Sequence, residues 1–187
     1  MLTKEQKDQK VKEGALRLMT LGEIAMARRV FGKSIVYNRV WIHCDSYLPF
    51  GLQGKHVGMS PNGEIYFREE EYLADFSKVN NYAKQHFFIH ELAHVWQHQH
   101  GQWVRLRGAF SWAANYTYKL EANKTLTKYS LEQQACIVAD YWLLIQYGYD
   151  AWSYGIGRFV NYTGPQNNKI RLQYEQVLAE FLRQRSS

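Results

Sequence analysis

Histidines are concentrated in one short segment of this 187-residue chain. Five of the 7 histidines lie within fifteen positions, at His86, His90, His94, His98 and His100. Two of them enclose a glutamate, Glu91, in the sequence HELAH at residues 90–94. On a helix, the four-residue spacing places both imidazoles on one face, where they can bind zinc with a carboxylate beside the metal.

Each residue type in this motif suits one part of a hydrolytic reaction. Two neutral imidazoles leave zinc positively charged and short of ligands, so a third protein ligand and an open position can follow. Glu91 can accept a proton from water at the open position and pass it to a leaving nitrogen. The motif therefore predicts a zinc-dependent hydrolase in which His90 and His94 bind the metal and Glu91 is the catalytic base. The alternative is a His-rich helix that is solvated or packed in the core without metal.

The third zinc ligand must come from outside the motif. His98 continues the spacing but lies about 12 Å along the helix axis from His90, too far for one ion. His100 has the spacing of a zincin class that breaks its helix at a glycine, whereas Gln97 occupies that position here. Glu132 is the better candidate, because a separate helix can bring it to the site. Its alternative interpretation is an ordinary acid in the first turn of a helix, where it favours the helix dipole.

Helical patterns position these residues. Residues 82–100 contain no proline and carry apolar side chains among the histidines, which predicts one helix ended by Gly101. Capping-box sequences or a single apolar face predict further helices. These cover about residues 21–31, 131–147 and 169–183.

The segment between residues 34 and 67 has the composition of β-structure. Apolar or β-branched runs predict short strands, at residues 35–37, 40–42, 56–59 and 64–67. The sequence SPNG at residues 60–63 favours a turn between the last two strands. We therefore predict an α+β domain, mainly helical, with a small antiparallel sheet before the histidine-rich helix. The strand at residues 64–67 is predicted to lie at an edge, where it could pair with an extended substrate.

Length and composition indicate one soluble domain over residues 1–187, with residues 1–14 as a loose or helical tail. The start of the chain lacks the apolar stretch of a signal peptide, and no run approaches the roughly 18 apolar residues of a membrane span. These features predict synthesis in the cytoplasm and no membrane span.

The charge and the cysteines exclude other classes of function. The net charge of +6 is scattered, without a run of five basic residues, so nucleic-acid binding is not predicted. Cys44 and Cys136 form no CxxC pair, so neither a disulfide scaffold nor a thiolate zinc site is indicated.

The sequences around the proposed ligands also resemble a known family. HELAHVWQHQHG followed by LEQQACIVADYW resembles the metallopeptidase domains associated with VgrG spike and Rhs elements of bacterial type VI secretion. LGEIAMARRVFG, NRVWIH, GMSPNGEIYF and NYTYKL resemble the same family, so the resemblance covers about residues 20–145.

The resemblance implies a zincin-like fold in which His90, His94 and Glu132 bind zinc and Glu91 is the general base. One departure is Cys136, which stands where such sites are expected to carry a polar or acidic residue supporting a ligand.

The resemblance also implies a secreted antibacterial effector, delivered to the periplasm of a target cell. Its substrate would be an envelope protein or a peptidoglycan peptide, and its partners secretion-spike components or an immunity protein. The second hypothesis is a non-catalytic zinc-bearing or His-rich accessory module of a secretion apparatus. Such a module would close its zinc site with a fourth protein ligand.

Overall fold

Helices pack against one small sheet in the computed structural model, which describes residues 12–102 and 115–185. The strands are β1 (Ala15–Leu18), β2 (Trp41–Cys44), β3 (Gly58–Met59) and β4 (Ile65–Phe67). The α-helices are α1 (Leu21–Phe31), α2 (Tyr82–Gln99), α3 (Leu131–Gly155), α4 (Ile170–Val177) and α5 (Ala179–Gln184). In the described part of the chain, no helix is long and apolar enough to cross a membrane. The predicted tail lies mostly outside the described residues.

The sheet is mixed, with strand order β1-β2-β4-β3. The β1–β2 and β3–β4 pairs are antiparallel, whereas β2 and β4 are parallel, with Ile42 opposite Ile65. The predicted antiparallel sheet is therefore wrong in its central pairing. The connection after β2 is the cause, because it crosses to the outer edge, forms β3 and returns through the turn at residues 60–63. This return brings β4 into the middle of the sheet in the direction of β2.

Two of the predicted strand assignments are also wrong. The strand predicted at residues 64–67 is β4, which is central, and the edges are formed by β1 and β3. Residues 35–37 form no strand, and Tyr37 instead begins a 3-10 turn that ends at Arg39. Ile35 and Tyr37 are buried, so this apolar run packs into the core without pairing.

The helix predictions are confirmed where capping signals are strong. The Thr20 hydroxyl accepts from the Glu23 amide, and the Glu23 carboxylate accepts from the Thr20 amide at the start of α1. The predicted end of the third helix coincides with an irregularity at Gly148, where φ is 85°, although α3 continues to Gly155. The predicted last helix is divided into α4 and α5 at Leu178.

The packing of α2 on α3 positions the histidine-rich segment. Apolar side chains of both helices are buried in the main core, including Phe88 and Leu92 on α2 and Val138 and Trp142 on α3. Each large side chain of this kind contributes about 1.5–3 kcal/mol when fully buried. The α2–α3 interface is the most extensive between two elements. The start of α3 is therefore held beside the face of α2 that carries the motif.

Candidate metal centre

The side chains of His90, His94 and Glu132 converge on one point. The Nε2 atom of His94 lies 3.2 Å from Nε2 of His90 and 3.1 Å from Oε2 of Glu132. Nε2 of His90 lies 3.5 Å from the same carboxylate oxygen. A tetrahedral zinc ion with bonds of about 2.0–2.1 Å separates its ligand atoms by about 3.3 Å. The three atoms therefore fit three corners of a zinc tetrahedron.

Local structure explains this convergence. His90 and His94 lie on successive turns of α2, which runs without interruption past Gln97 as predicted. Glu132 is the second residue of α3, whose start is fixed by a capping box between Ser130 and Gln133. In residues 12–102 and 115–185, this is the one group of three or more His, Cys, Asp or Glu side chains that could hold a metal.

Gln97 orients one of the imidazoles. Its Oε1 atom lies 2.8 Å from Nδ1 of His94, which leaves Nε2 to face the site. Its Nε2 atom donates to the carbonyl of Leu131 at 2.9 Å and to Oε1 of Gln134 at 3.2 Å. This buried amide therefore links His94 to the first turn of the helix that carries Glu132.

Cys136 supports the other imidazole. Its Sγ atom lies 3.8 Å from Nδ1 of His90 and accepts a hydrogen bond from Nδ2 of Asn161 at 3.4 Å. Burial raises the pKa of the Cys136 thiol, and the nearby carboxylates of Asp140 and Glu132 raise it further. A neutral thiol therefore stands where the resemblance predicts a polar or acidic residue, on the side of His90 that faces away from the candidate metal position.

Electrostatics couple His94 and Glu132. Burial lowers the pKa of His94, but the hydrogen bond and charge of Glu132, together with the charge of Glu91 and the hydrogen bond of Gln97, raise it to about 9. Burial also raises the pKa of Glu132, while hydrogen bonds with His90 and His94 lower it well below its ordinary value. In the absence of zinc, His94 is therefore protonated at pH 7 and forms an ion pair with the Glu132 carboxylate.

Zinc must displace this proton, so we expect the apparent zinc affinity to increase with pH up to about 9, the pKa of His94. Displacement of one proton corresponds to about a tenfold gain per pH unit below that pKa. Calorimetric titration with zinc in buffers of different ionisation enthalpy measures the released protons, and we expect at least one at pH 7. Equal zinc affinities at pH 6.5 and pH 8.5 would contradict this coupling.

Glu91 lines the same pocket as the three candidate ligands. The pocket contains His90, His94 and Glu132, and its walls are residues 57–61 and Tyr116. Ser60 Oγ donates to Oε2 of Glu91 at 2.8 Å and so fixes the buried carboxylate. A Cβ atom at Gly58 would lie 2.6 Å from the Glu91 carboxyl, so glycine makes room for it.

Tyr116 supplies a neutral hydroxyl to this pocket. Burial raises the pKa of Tyr116, and the charges of Glu132 and Glu91 raise it further, so the hydroxyl keeps its proton at neutral pH. The ring centroid lies 6.3 Å from that of His90. Tyr116 therefore lines the pocket with a protonated side chain.

Two histidines of the cluster lie elsewhere. The ring of His98 is next to Gly63, where a Cβ atom would lie 2.6 Å from Cδ2 of His98. Nδ1 of His100 lies 2.8 Å from the carbonyl oxygen of Trp96, and the two rings are 4.7 Å apart. Neither belongs to the group around Glu132.

No known family profile matches the chain. A solved structure of the effector domain of Pseudomonas aeruginosa VgrG2b is 40% identical, with a TM-score of 0.65, over 83% of this chain and 88% of that domain. The chain belongs to the VgrG2b effector-domain family. It is also 47% identical over 134 residues to the type VI secretion system spike protein VgrG2b of P. aeruginosa PAO1. The aligned segment covers 68% of this chain but 13% of that protein. The predicted relation to VgrG-associated domains is confirmed, while metallopeptidase activity remains a prediction.

Several site residues of this VgrG2b-like domain were outside the sequence predictions. The SPNG segment indicates a turn, but nothing in its spacing relates Ser60 to Glu91. Gly58 and Tyr116 likewise reach the pocket through non-local packing, and Tyr116 is one of 14 tyrosines with no distinguishing pattern. His86 differs from these residues, because the sequence places it in the histidine cluster, one turn before His90. Its Nε2 atom lies 2.6 Å from Oδ1 of Asp140.

Proposed function

We propose that this chain is a zinc-dependent peptidase that acts as an effector of type VI secretion. The supporting observation is the 3.1–3.5 Å spacing of the ligand atoms of His90, His94 and Glu132, in one pocket with Glu91. These three side chains would hold zinc through two nitrogens and one oxygen, a donor set typical of catalytic zinc. Zinc bound there would polarise a substrate carbonyl and lower the pKa of a water molecule.

Glu91 would be the general base in this reaction. Its carboxylate would take the proton of the attacking water and deliver it to the leaving nitrogen. The hydrogen bond from Ser60 holds one carboxylate oxygen, and the Glu91 side chain lines the pocket. The hydroxyl of Tyr116, which also lines the pocket, would donate to the negative charge that develops on the carbonyl oxygen.

The edge strand β3 favours an extended peptide as the substrate. Gly58 and Met59 lie at an edge of the sheet and also form part of the pocket wall beside Glu91. An extended chain can pair with such an edge through backbone hydrogen bonds. β3 thus takes the role that the sequence suggested for residues 64–67.

Similarity to the VgrG2b effector domain supports the role as a secreted effector. Similarity to a spike protein supports association with a secretion spike. We propose the periplasm of a target cell as the destination, an envelope protein or peptidoglycan peptide as the substrate, and an immunity protein as a further partner.

A non-catalytic zinc module is less well supported. A structural site needs a fourth protein ligand, and the candidate group in the described residues has three members. The nearby thiol of Cys136 contacts Nδ1 of His90 rather than the Nε2 atom that faces the site.

We expect about one zinc ion per chain in protein purified without added metal, because the three ligand atoms already have tetrahedral spacing. Elemental analysis measures this content. Simultaneous replacement of His90 and His94 by alanine should abolish it and serves as the control. Protein that is free of zinc and also fails to bind added zinc would contradict the proposed function.

A further inference from the structure

A second concavity continues from the metal pocket along α2. We call it the α2 groove, and its volume is about 260 Å³, against about 60 Å³ for the pocket over the ligands. The two share part of their lining, namely Val57, Gly58, His90, Glu91 and Tyr116. The rest of the groove is formed by His56, Ala83, His86, Phe87, Phe159 and Asn161. A peptide bound with its scissile bond beside Glu91 would therefore place the side chain of a neighbouring residue at the groove.

The walls of the α2 groove are mostly apolar. Phe87 and Phe159 contribute aromatic rings, and Val57 and Ala83 contribute aliphatic groups. The ring of Phe159 packs edge-on against the imidazole of His86 at a centroid distance of 5.3 Å. Such a lining favours an apolar ligand, because burial of a charged group without a partner is costly.

The polar side chains that the α2 groove does not share with the metal pocket already have partners. His86 is paired with Asp140, and Nδ2 of Asn161 donates to Cys136. At the mouth, Nδ1 of His56 lies 2.8 Å from Oε1 of Glu71. Lys84 pairs with the other oxygen of the same carboxylate. Away from Glu91, the groove therefore offers a charged side chain little compensation for its lost hydration.

We propose that the α2 groove is a specificity pocket for a bulky apolar side chain at one of the two residues that flank the scissile bond. This inference rests on the proposed peptidase function and narrows its substrate to polypeptides. Peptidoglycan stem peptides carry the small side chain of alanine or the charged side chains of glutamate and diamino acids. Neither kind matches a large groove whose walls are mostly apolar.

Cleavage of a complex protein mixture tests the inference. Zinc-loaded wild-type protein is incubated with a denatured bacterial envelope extract, and new N-termini are identified by mass spectrometry. Termini that also appear with Glu91→Gln are subtracted. We expect Leu, Met, Phe, Tyr or Trp at one flanking position, about tenfold or more above Ala, Gly, Asp and Glu, as in discrimination by an apolar pocket.

A variant of Ala83 tests the location of the specificity pocket. Ala83→Leu places a larger side chain in the groove from the first turns of α2, where leucine is compatible with a helix. We expect the preference to shift from Phe and Leu toward Ala and Gly at the same flanking position. Ala179→Leu, at an exposed site on α5, makes the same change outside the groove and should keep the wild-type preference. Zinc content and melting temperature confirm that both variants are folded.

A binding measurement provides a readout without turnover. In Glu91→Gln protein, N-acetyl-phenylalanine amide should shift NMR resonances of Ala83 and Phe87, whereas N-acetyl-alanine amide should not. Equal effects of the two amides would overturn the inference.

The outcomes separate this inference from the proposed function. Cleavage without a preference at either flanking position, or an unchanged preference in Ala83→Leu, overturns the specificity pocket and leaves the peptidase intact. Release of fragments from purified peptidoglycan, with polypeptides left uncut, also overturns it while retaining a hydrolase. If wild-type protein produces nothing beyond Glu91→Gln on either substrate, the proposed function itself fails.

Discussion

Glu91→Gln should retain about one zinc per chain and lose peptidase activity by a factor of about 10²–10⁴, the usual contribution of a general base. The amide keeps the shape of the side chain and can still accept the hydrogen bond from Ser60. It cannot take a proton from water. Elemental analysis together with the appearance of new N-termini in the envelope extract measures both effects. In cells, wild-type protein directed to the periplasm should be toxic, and this variant should not.

Glu121→Gln is a suitable control, because it makes the same chemical change at a side chain that is 63% exposed. It should keep both zinc and activity. Equal cleavage or equal toxicity from wild type and Glu91→Gln would show that hydrolysis does not proceed through this carboxylate.

The parts of the fold that sequence predicted best depend on local interactions. The start of α1 follows from the Thr20 and Glu23 capping box, and the extent of α2 follows from an unbroken helical pattern with Gly101 beyond it. Strand order depends on where the chain returns after a crossing, which neighbouring residues do not specify. The parallel pairing of Ile42 with Ile65 was therefore missed.

In the candidate site, too, the residues related by local geometry were predicted better than those brought in by packing between helices. His90, Glu91 and His94 are related by helix geometry, so their relative placement was accessible from spacing alone. Helix geometry and the resemblance favoured Glu132 over His98 and His100 as the third ligand. Only the packing of α3 on α2 brings it to 3.1 Å from His94.

The support of the imidazoles was not accessible from spacing. In the sequence, Gln97 mattered only because it replaces the glycine that would break the helix. In the structure, its side chain accepts a hydrogen bond from His94 and donates one to the carbonyl of Leu131 at the start of α3. Cys136 was recognised as a departure, but its contact with Nδ1 of His90 depends on the arrangement of two helices.

Glu132→Ala should lower zinc affinity by more than the roughly 10–100-fold that loss of a partner behind a metal ligand usually costs. The substitution removes one of three ligand atoms, whereas Glu91→Gln should bind zinc like wild type because it removes only a proton acceptor. If Glu132 were merely an acid at a helix start, its loss would cost about 0.3–1 kcal/mol of helix stability and leave zinc bound. Competition with a chromophoric chelator at fixed pH measures the affinity.

The same variant should also change how zinc affinity depends on pH. The carboxylate of Glu132 is the main cause that raises the pKa of His94 against the opposing effect of burial. Without it, the pKa of His94 should fall, so zinc should displace fewer protons at pH 7 and its residual affinity should vary less between pH 6.5 and 9. His98→Ala and His100→Ala serve as controls that retain wild-type affinity, since both side chains lie outside the group. Should Glu132→Ala bind zinc like wild type while His100→Ala loses it, the third ligand is His100 and α2 must break near Gln97 when zinc binds.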